Sequence, residues 1–310
     1  MKESGARAVP DGVYPTMVTP FTQELQVDYG ALQPLLRWYE ARGVTGVFAI
    51  CQSSEIFYLS FAERLQILRE LMRTRAPGTV VLASGHTAYD PTTQIDEAKA
   101  FIGEGIDAYV FISNRFAAPE EGDDTFLRRA EHVAKALPDI PLGIYECPYP
   151  YKRLLTPYVI RRLGEVGSFA FLKDTCCDLG QLAAKLEAAR GTGLKIFNAN
   201  AATLLESLRL GCAGFSGVMA NFHPQLYAKL CGCWREEPAL AERLQAFLGQ
   251  ASLAEAQQYP VNAKYTIALD GVPMTWQCRA RDAAQFRRCD ELQIEQLRAL
   301  AMEVEASYQK

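Results

Sequence analysis

Histidine is scarce in this chain, with only three among 310 residues. His86, His132 and His223 are far apart in sequence. No metal or other cofactor is therefore expected, although ligands distant in sequence can converge in a fold. Cysteine is present but unpaired in pattern: there are nine, an odd count, and Cys176 and Cys177 are adjacent, which argues against a disulfide framework. Cys231 and Cys233 lack a second pair at zinc spacing and read as reduced thiols on a helix. There is no block of basic residues, and the formal charge of −4 is spread along the chain. Neither nucleic acid nor an anionic membrane is suggested as a partner, which leaves a small molecule. No apolar segment is long enough to span a bilayer, and MKESGARAVP lacks the apolar stretch of a secretory signal. A soluble cytoplasmic protein is expected.

What the chain has is apolar surface: 49% of its residues are hydrophobic, enough for one large core. Runs rich in β-branched and aromatic residues recur, each followed by a longer amphipathic stretch, which is the pattern of βα units around a parallel sheet. The runs predict strands at Val13 to Thr19, Gly46 to Ile50, Val80 to Ala83 and Ala108 to Ile112. Four more follow at Leu142 to Tyr145, Phe169 to Leu172, Lys195 to Asn198 and Gly214 to Gly217, and eight strands count out a (β/α)8 barrel. Leu32, Leu35, Leu36 and Tyr39 share one helical face, with Gly43 as its stop. Beyond residue 222 the strand signals fade. Leu226 to Trp234, Ala239 to Gln258 and Ala283 to Glu303 read as helices, so residues 1–222 form the barrel and 223–310 a helical extension packed on it.

In such a barrel chemistry gathers where strands end. Two apolar runs end in ionisable residues: Tyr145 in IPLGIYECP and Lys173 in SFAFLKDT. A partly desolvated lysine loses its proton more readily and can attack a ketone to form an iminium, with a nearby tyrosine moving protons. Pattern alone leaves open a plainer reading, in which Lys173 pairs with Asp174 and Tyr145 packs with its hydroxyl in water. After the second strand CQSSE offers Gln52, Ser53 and Ser54 with adjacent amides as a seat for a carboxylate. It also reads as a capped loop leading to a helix near Ser60.

The order and spacing of VYPTMVTPF, SSEIFYLSFAER, IYECP, FLKDT and GCAGFSGVMANFHP resemble the dihydrodipicolinate synthase and N-acetylneuraminate lyase family of class I aldolases, from Gly12 onward. The resemblance implies a (β/α)8 barrel with C-terminal helices, assembled as a homodimer or homotetramer, that forms a Schiff base with a 2-oxo acid such as pyruvate. Carried over by position, Lys173 is the imine lysine and Tyr145 the proton-transfer tyrosine. Ser53 keeps the second hydroxyl of the family's GTTGE motif, but Gln52 replaces the first, and an amide cannot relay a proton as a hydroxyl does. Ser113, Asn114 and Arg115 stand where the synthase lends a tyrosine to its neighbour. Lys152 or Arg153 falls near the synthase's substrate-gripping arginine, and Asn198 and Ser216 fall at positions that elsewhere line the site.

These departures point away from the synthase reaction itself. The leading expectation is a lyase or aldolase acting on a 2-oxo acid through Lys173. Gln52, Arg115 and Asn198 are candidates to hold a polar, acidic second half of the substrate. A 2-oxo-3-deoxy sugar acid dehydratase using the same imine is one alternative, and a 2-oxo acid binding protein without turnover is another.

Overall fold

The apolar runs become strands in the order in which they occur. In a computed structural model, which describes residues 9–308, these are β1 Gly12–Val13, β2 Gly46–Ile50, β3 Val80–Ala83, β4 Ala108–Ile112, β5 Leu142–Tyr145, β6 Phe169–Asp174, β7 Lys195–Asn198 and β8 Gly214–Phe215. Strands β2 to β8 pair in parallel with their sequence neighbours, and β8 also pairs in parallel with β1. The ring closes between β1 and β2 through a bridge from Thr16 to Phe48. Phe48 N donates to Pro15 O at 2.9 Å and Met17 N to Phe48 O at 3.0 Å. The expected first strand to Thr19 is thus shorter as regular strand, while its continuation supplies the closure.

The intervening helices are α1 Leu32–Glu40, α2 Phe61–Thr74, α3 Pro91–Gly103, α4 Asp123–Ala136, α5 Pro157–Val166, α6 Leu179–Ala189 and α7 Leu204–Leu210. They form because each carries an apolar stripe and a start signal. In α1 the stripe Leu32, Leu35, Leu36 and Tyr39 is buried, and Gly43 at φ +74° turns the chain beyond it. At α2 Ser60 accepts from Glu63 N at 3.2 Å while Glu63 accepts from Ser60 N at 2.8 Å, a reciprocal cap. None of the helices among the described residues is long and apolar enough to cross a membrane.

Past residue 222 come α8 Pro224–Cys233, α9 Pro238–Ala251, α10 Val261–Leu269 and α11 Arg288–Ala306. Helix α8 packs on β1 and β8 and completes the outer ring; the other three extend it. Three details differ from the sequence reading: the helix expected from Ala283 begins at Arg288 after a separate 3-10 turn, Ala283–Gln285, and two others follow. The helix expected to run to Gln258 stops at Ala251 and continues as a 3-10 turn, Ser252–Ala256. Helix α10 was not anticipated, because its residues from Val261 to Ile267 are all buried and leave no amphipathic stripe to read.

Alternation along β5 and β6 determines what reaches the site. Side chains two apart share a side of the sheet. Phe171 points into the barrel, its ring 4.8 Å from Phe197 and 6.0 Å from Tyr14. A Cβ on Gly143 would lie 3.1 Å from both Phe171 and Val110, so glycine makes room for this layer. Lys173 continues the inward row, and Asp174 faces the helices. Tyr145 pairs in register with Lys173, and Glu146 follows it on the outer side.

Both outward carboxylates meet one cation. Lys185 on α6 donates to Glu146 at 2.6 Å and to Asp174 at 2.5 Å, all three buried. Glu146 also accepts from Leu155 N at 2.7 Å and Thr175 N at 3.0 Å, and Asp174 from Cys176 N at 3.1 Å. Removing one partner of such a group strands the others without compensation. Lys185→Met is expected to lower unfolding free energy by about 3–5 kcal/mol in urea titration. A loss below about 1 kcal/mol, the size typical of an exposed pair, contradicts this role.

Candidate functional site

The strand ends open into a cavity of about 560 Å³. Its wall includes Lys173, Tyr145, Gln52 and Ser53, joined from the C-terminal extension by Glu255 and Tyr259. Lys173 is buried, and its ammonium nitrogen lies 4.3 Å from the Tyr145 ring centre and 5.8 Å from that of Phe48. Asp174, its sequence neighbour, is engaged by Lys185, so the plain pairing of Lys173 with Asp174 does not occur. Burial pushes the Lys173 amine below the usual lysine range, with a smaller opposing pull from neighbouring thiols and the Glu255 carboxylate. A lysine in this setting gives up its proton more readily and becomes a nucleophile.

Tyr145 is pushed well above the usual phenol range, chiefly by burial. It therefore keeps its proton. Its hydroxyl donates to Gln52 Oε1 at 3.4 Å, a long contact, and the Cys147 thiol donates to the same oxygen at 3.4 Å. Gln52 holds the hydroxyl but offers no proton to pass on.

A second cluster of hydroxyls lies beside it. Ser53 Oγ donates to Thr16 Oγ1 at 3.1 Å, and the Tyr259 hydroxyl lies beside this pair. Asn221 Nδ2 donates to the Tyr259 oxygen at 3.0 Å. Ser53 and Tyr259 share the cavity wall with Lys173, and their hydroxyls suit an anionic oxygen.

Other expected site residues are placed differently. Ser54 does not line the cavity; its hydroxyl ties the loop to Ala49 O at 2.8 Å and Met17 O at 2.5 Å. Ser216 is off the wall too, donating to Tyr14 O at 3.0 Å across the β1–β8 seam. Asn198 donates to Thr203 at 3.0 Å and accepts from Asn200 N at 2.8 Å, so that Asn200 faces the cavity in its place. Arg115 lies outside the wall, against Phe57, which belongs to it. Lys152 is at the mouth, donating to Thr175 O at 2.8 Å, whereas Arg153 turns away to Asp123 at 3.3 Å.

The sequence reading missed Thr16, Glu255 and Tyr259 and gave Glu55 no role. Glu55 carried a signal, since it ends the CQSSE segment. It adopts φ +61°, pairs with buried Lys264 of α10 at 2.7 Å, and accepts from Arg279 N and Ala280 N at 2.6 and 2.7 Å. This clamp brings the extension over the barrel mouth. Glu255, on the 3-10 turn after α9, has its carboxyl raised by burial and lowered by Lys173 and Lys152, in that order.

With this geometry in view, the chain can be compared with known proteins. The model of the dihydrodipicolinate synthetase family matches residues 9–281. The 4-hydroxy-tetrahydrodipicolinate synthase of Cellvibrio japonicus is 24% identical over 260 residues, covering 84% of this chain and 85% of that protein. Its counterpart from Methanospirillum hungatei is 27% identical over 217 residues, 69% of this chain and 73% of that one. Among solved structures, a prophage protein of the dihydrodipicolinic acid synthase family from E. coli K12, in complex with pyruvate, superposes with a TM-score of 0.85. It has 22% identity and covers 96% of this chain and 99% of its own. The sialic acid aldolase of Ruminococcus gnavus also reaches 0.85, at 17% identity over 96% and 99% of the two chains. Its catalytic lysine mutant is similarly close, at 0.85. Matched over most of its length, the chain belongs to the dihydrodipicolinate synthetase family.

Proposed function

We propose that the protein is a class I lyase that forms a Schiff base between Lys173 and a 2-oxo acid. The observation that carries this reading is a buried lysine without a carboxylate partner among the described residues, in register with a buried tyrosine at the mouth of the barrel. The neutral amine attacks the ketone carbon, water leaves, and an iminium remains. Tyr145, protonated at neutral pH, gives its proton to the departing oxygen, and the phenolate takes up the proton of the substrate hydroxyl when the carbon–carbon bond breaks. The bond's electrons flow into the iminium to give an enamine. Protonation and hydrolysis then release the smaller 2-oxo acid and restore Lys173. Ser53, with Thr16 and Tyr259 behind it, holds the substrate carboxylate.

Pyruvate bound to the E. coli prophage relative and the catalytic lysine of the Ruminococcus aldolase support the same chemistry for this chain. We place its reaction apart from that of the synthases. Gln52 stands where the resemblance calls for a relay hydroxyl, and its contact with Tyr145 ends in an amide that cannot pass a proton on.

Two outcomes are expected. Among 2-oxo-3-deoxy sugar acids, one is cleaved with release of pyruvate; Lys173→Met abolishes turnover, and Tyr145→Phe lowers kcat by about 10²–10⁴-fold. Release of water without carbon–carbon cleavage would identify a dehydratase instead. Stability moves the other way. The folded Lys173 amine binds its proton less tightly than the unfolded one, so it costs stability below the unfolded lysine value of about 10.4. Lys173→Met is expected to raise the Tm by about 2–4 °C at pH 7, with the gain shrinking toward pH 10. Scanning calorimetry at both pH values checks the sign, and a less stable variant at pH 7 contradicts it.

A further inference from the structure

Five lysine and arginine residues are buried among the described residues: Arg64, Arg115, Lys173, Lys185 and Lys264. Three are compensated. Arg64 pairs with Glu97 at 3.3 Å, Lys185 with Glu146 and Asp174, and Lys264 with Glu55. Lys173 is left without a carboxylate because its chemistry needs a neutral amine. Arg115 has no such escape, since a guanidinium stays charged in a protein.

Arg115 is 7% exposed, its Nε is buried without a hydrogen-bond partner, and no carboxylate pairs with it among the described residues. Its guanidinium carbon lies 4.1 Å from the Tyr89 ring centre and 5.4 Å from that of Phe57. Aromatic faces offset part of the desolvation but supply no anion and no acceptor in the guanidinium plane. The residue is also held in place. Its neighbour Asn114 donates through Nδ2 to Cys147 O and Tyr149 O, each at 2.9 Å, and to Tyr151 O at 2.6 Å. Gln94 donates to the Arg115 carbonyl at 3.1 Å. Order of this kind around an uncompensated charge is what an anion-binding group requires.

The position links it to the cavity. Phe57 packs against Tyr149 with ring centres 4.9 Å apart and planes tilted by 56°, and both line the cavity wall. Lys152 and Arg281 stand on the same wall, and Glu255 is the acid that faces the lysines. A cavity of about 560 Å³ has room for much more than a three-carbon acid.

We propose that Arg115, between Tyr89 and Phe57, is a subsite for a second acidic group, carboxylate or phosphate, at the end of the substrate remote from its carbonyl. The substrate class is then 2-oxo acids that carry a further anion. This rests on the imine reading for Lys173, but binding can be measured independently of the imine.

Titration calorimetry with pyruvate, 2-oxoglutarate and a 6-phosphorylated 2-oxo-3-deoxy sugar acid tests it on wild type, Arg115→Met and Arg115→Lys. For one or both doubly anionic ligands the methionine variant is expected to bind about 10- to 100-fold more weakly, with pyruvate within about two-fold. The lysine variant falls between, because it restores charge without the planar fork. Which ligand responds tells carboxylate from phosphate. Equal losses for all three ligands, or no loss for any, overturn the subsite. So does unchanged affinity with a lower mass in sedimentation, which would make Arg115 a contact to a second copy. Absence of a borohydride-trapped adduct on Lys173 in the wild type would remove the imine reading while leaving a charge-dependent loss at Arg115 standing.

Discussion

A single buried ammonium group between two buried carboxylates fixes the ends of β5 and β6 at the mouth of this barrel. Lys185 reaches from α6 to Glu146 at the end of β5 and Asp174 at the end of β6, and the carboxylates in turn hold the backbone amides of Leu155, Thr175 and Cys176. Because side chains alternate, fastening these two residues outward fastens Tyr145 and Lys173 inward. The placement of Lys173 and Tyr145 is thus set by charge pairing on the far side of the sheet.

The same clamp leaves Lys173 free. Were Asp174 not held by Lys185, a lysine one residue away would have a carboxylate to pair with, which would favour the protonated and unreactive form. A second clamp, Lys264 with Glu55, draws the C-terminal extension over the mouth, where Tyr259 meets Ser53 and Thr16. Two buried pairings, one behind the strands and one above them, thereby bound the cavity.

The strands were legible because fully buried parallel strands read as short apolar runs between turn residues, and Lys173 and Tyr145 interrupted that pattern where two of them end. The family resemblance, carried by spacing over most of the chain, agrees with the match over residues 9–281. Direction was not legible. Ser54, Asn198 and Ser216 end or follow strands as expected, yet each hydroxyl or amide is spent on local hydrogen bonds that only the backbone path reveals. Helix α10 carried no stripe because it is buried all round, so Tyr259 just before it and Lys264 within it could not be assigned to the mouth. Arg115 was visible as a charge, but its lack of a partner is a property of the packed rim.

The proposed chemistry stands on a covalent bond between Lys173 and a 2-oxo acid. Borohydride reduction of the protein in the presence of pyruvate, followed by peptide mass mapping, tests it most directly. The predicted result is one reduced pyruvyl adduct per chain, confined to the peptide carrying Lys173 and missing from Lys173→Met. No adduct with pyruvate or with longer 2-oxo acids, or an adduct on another lysine, would contradict it.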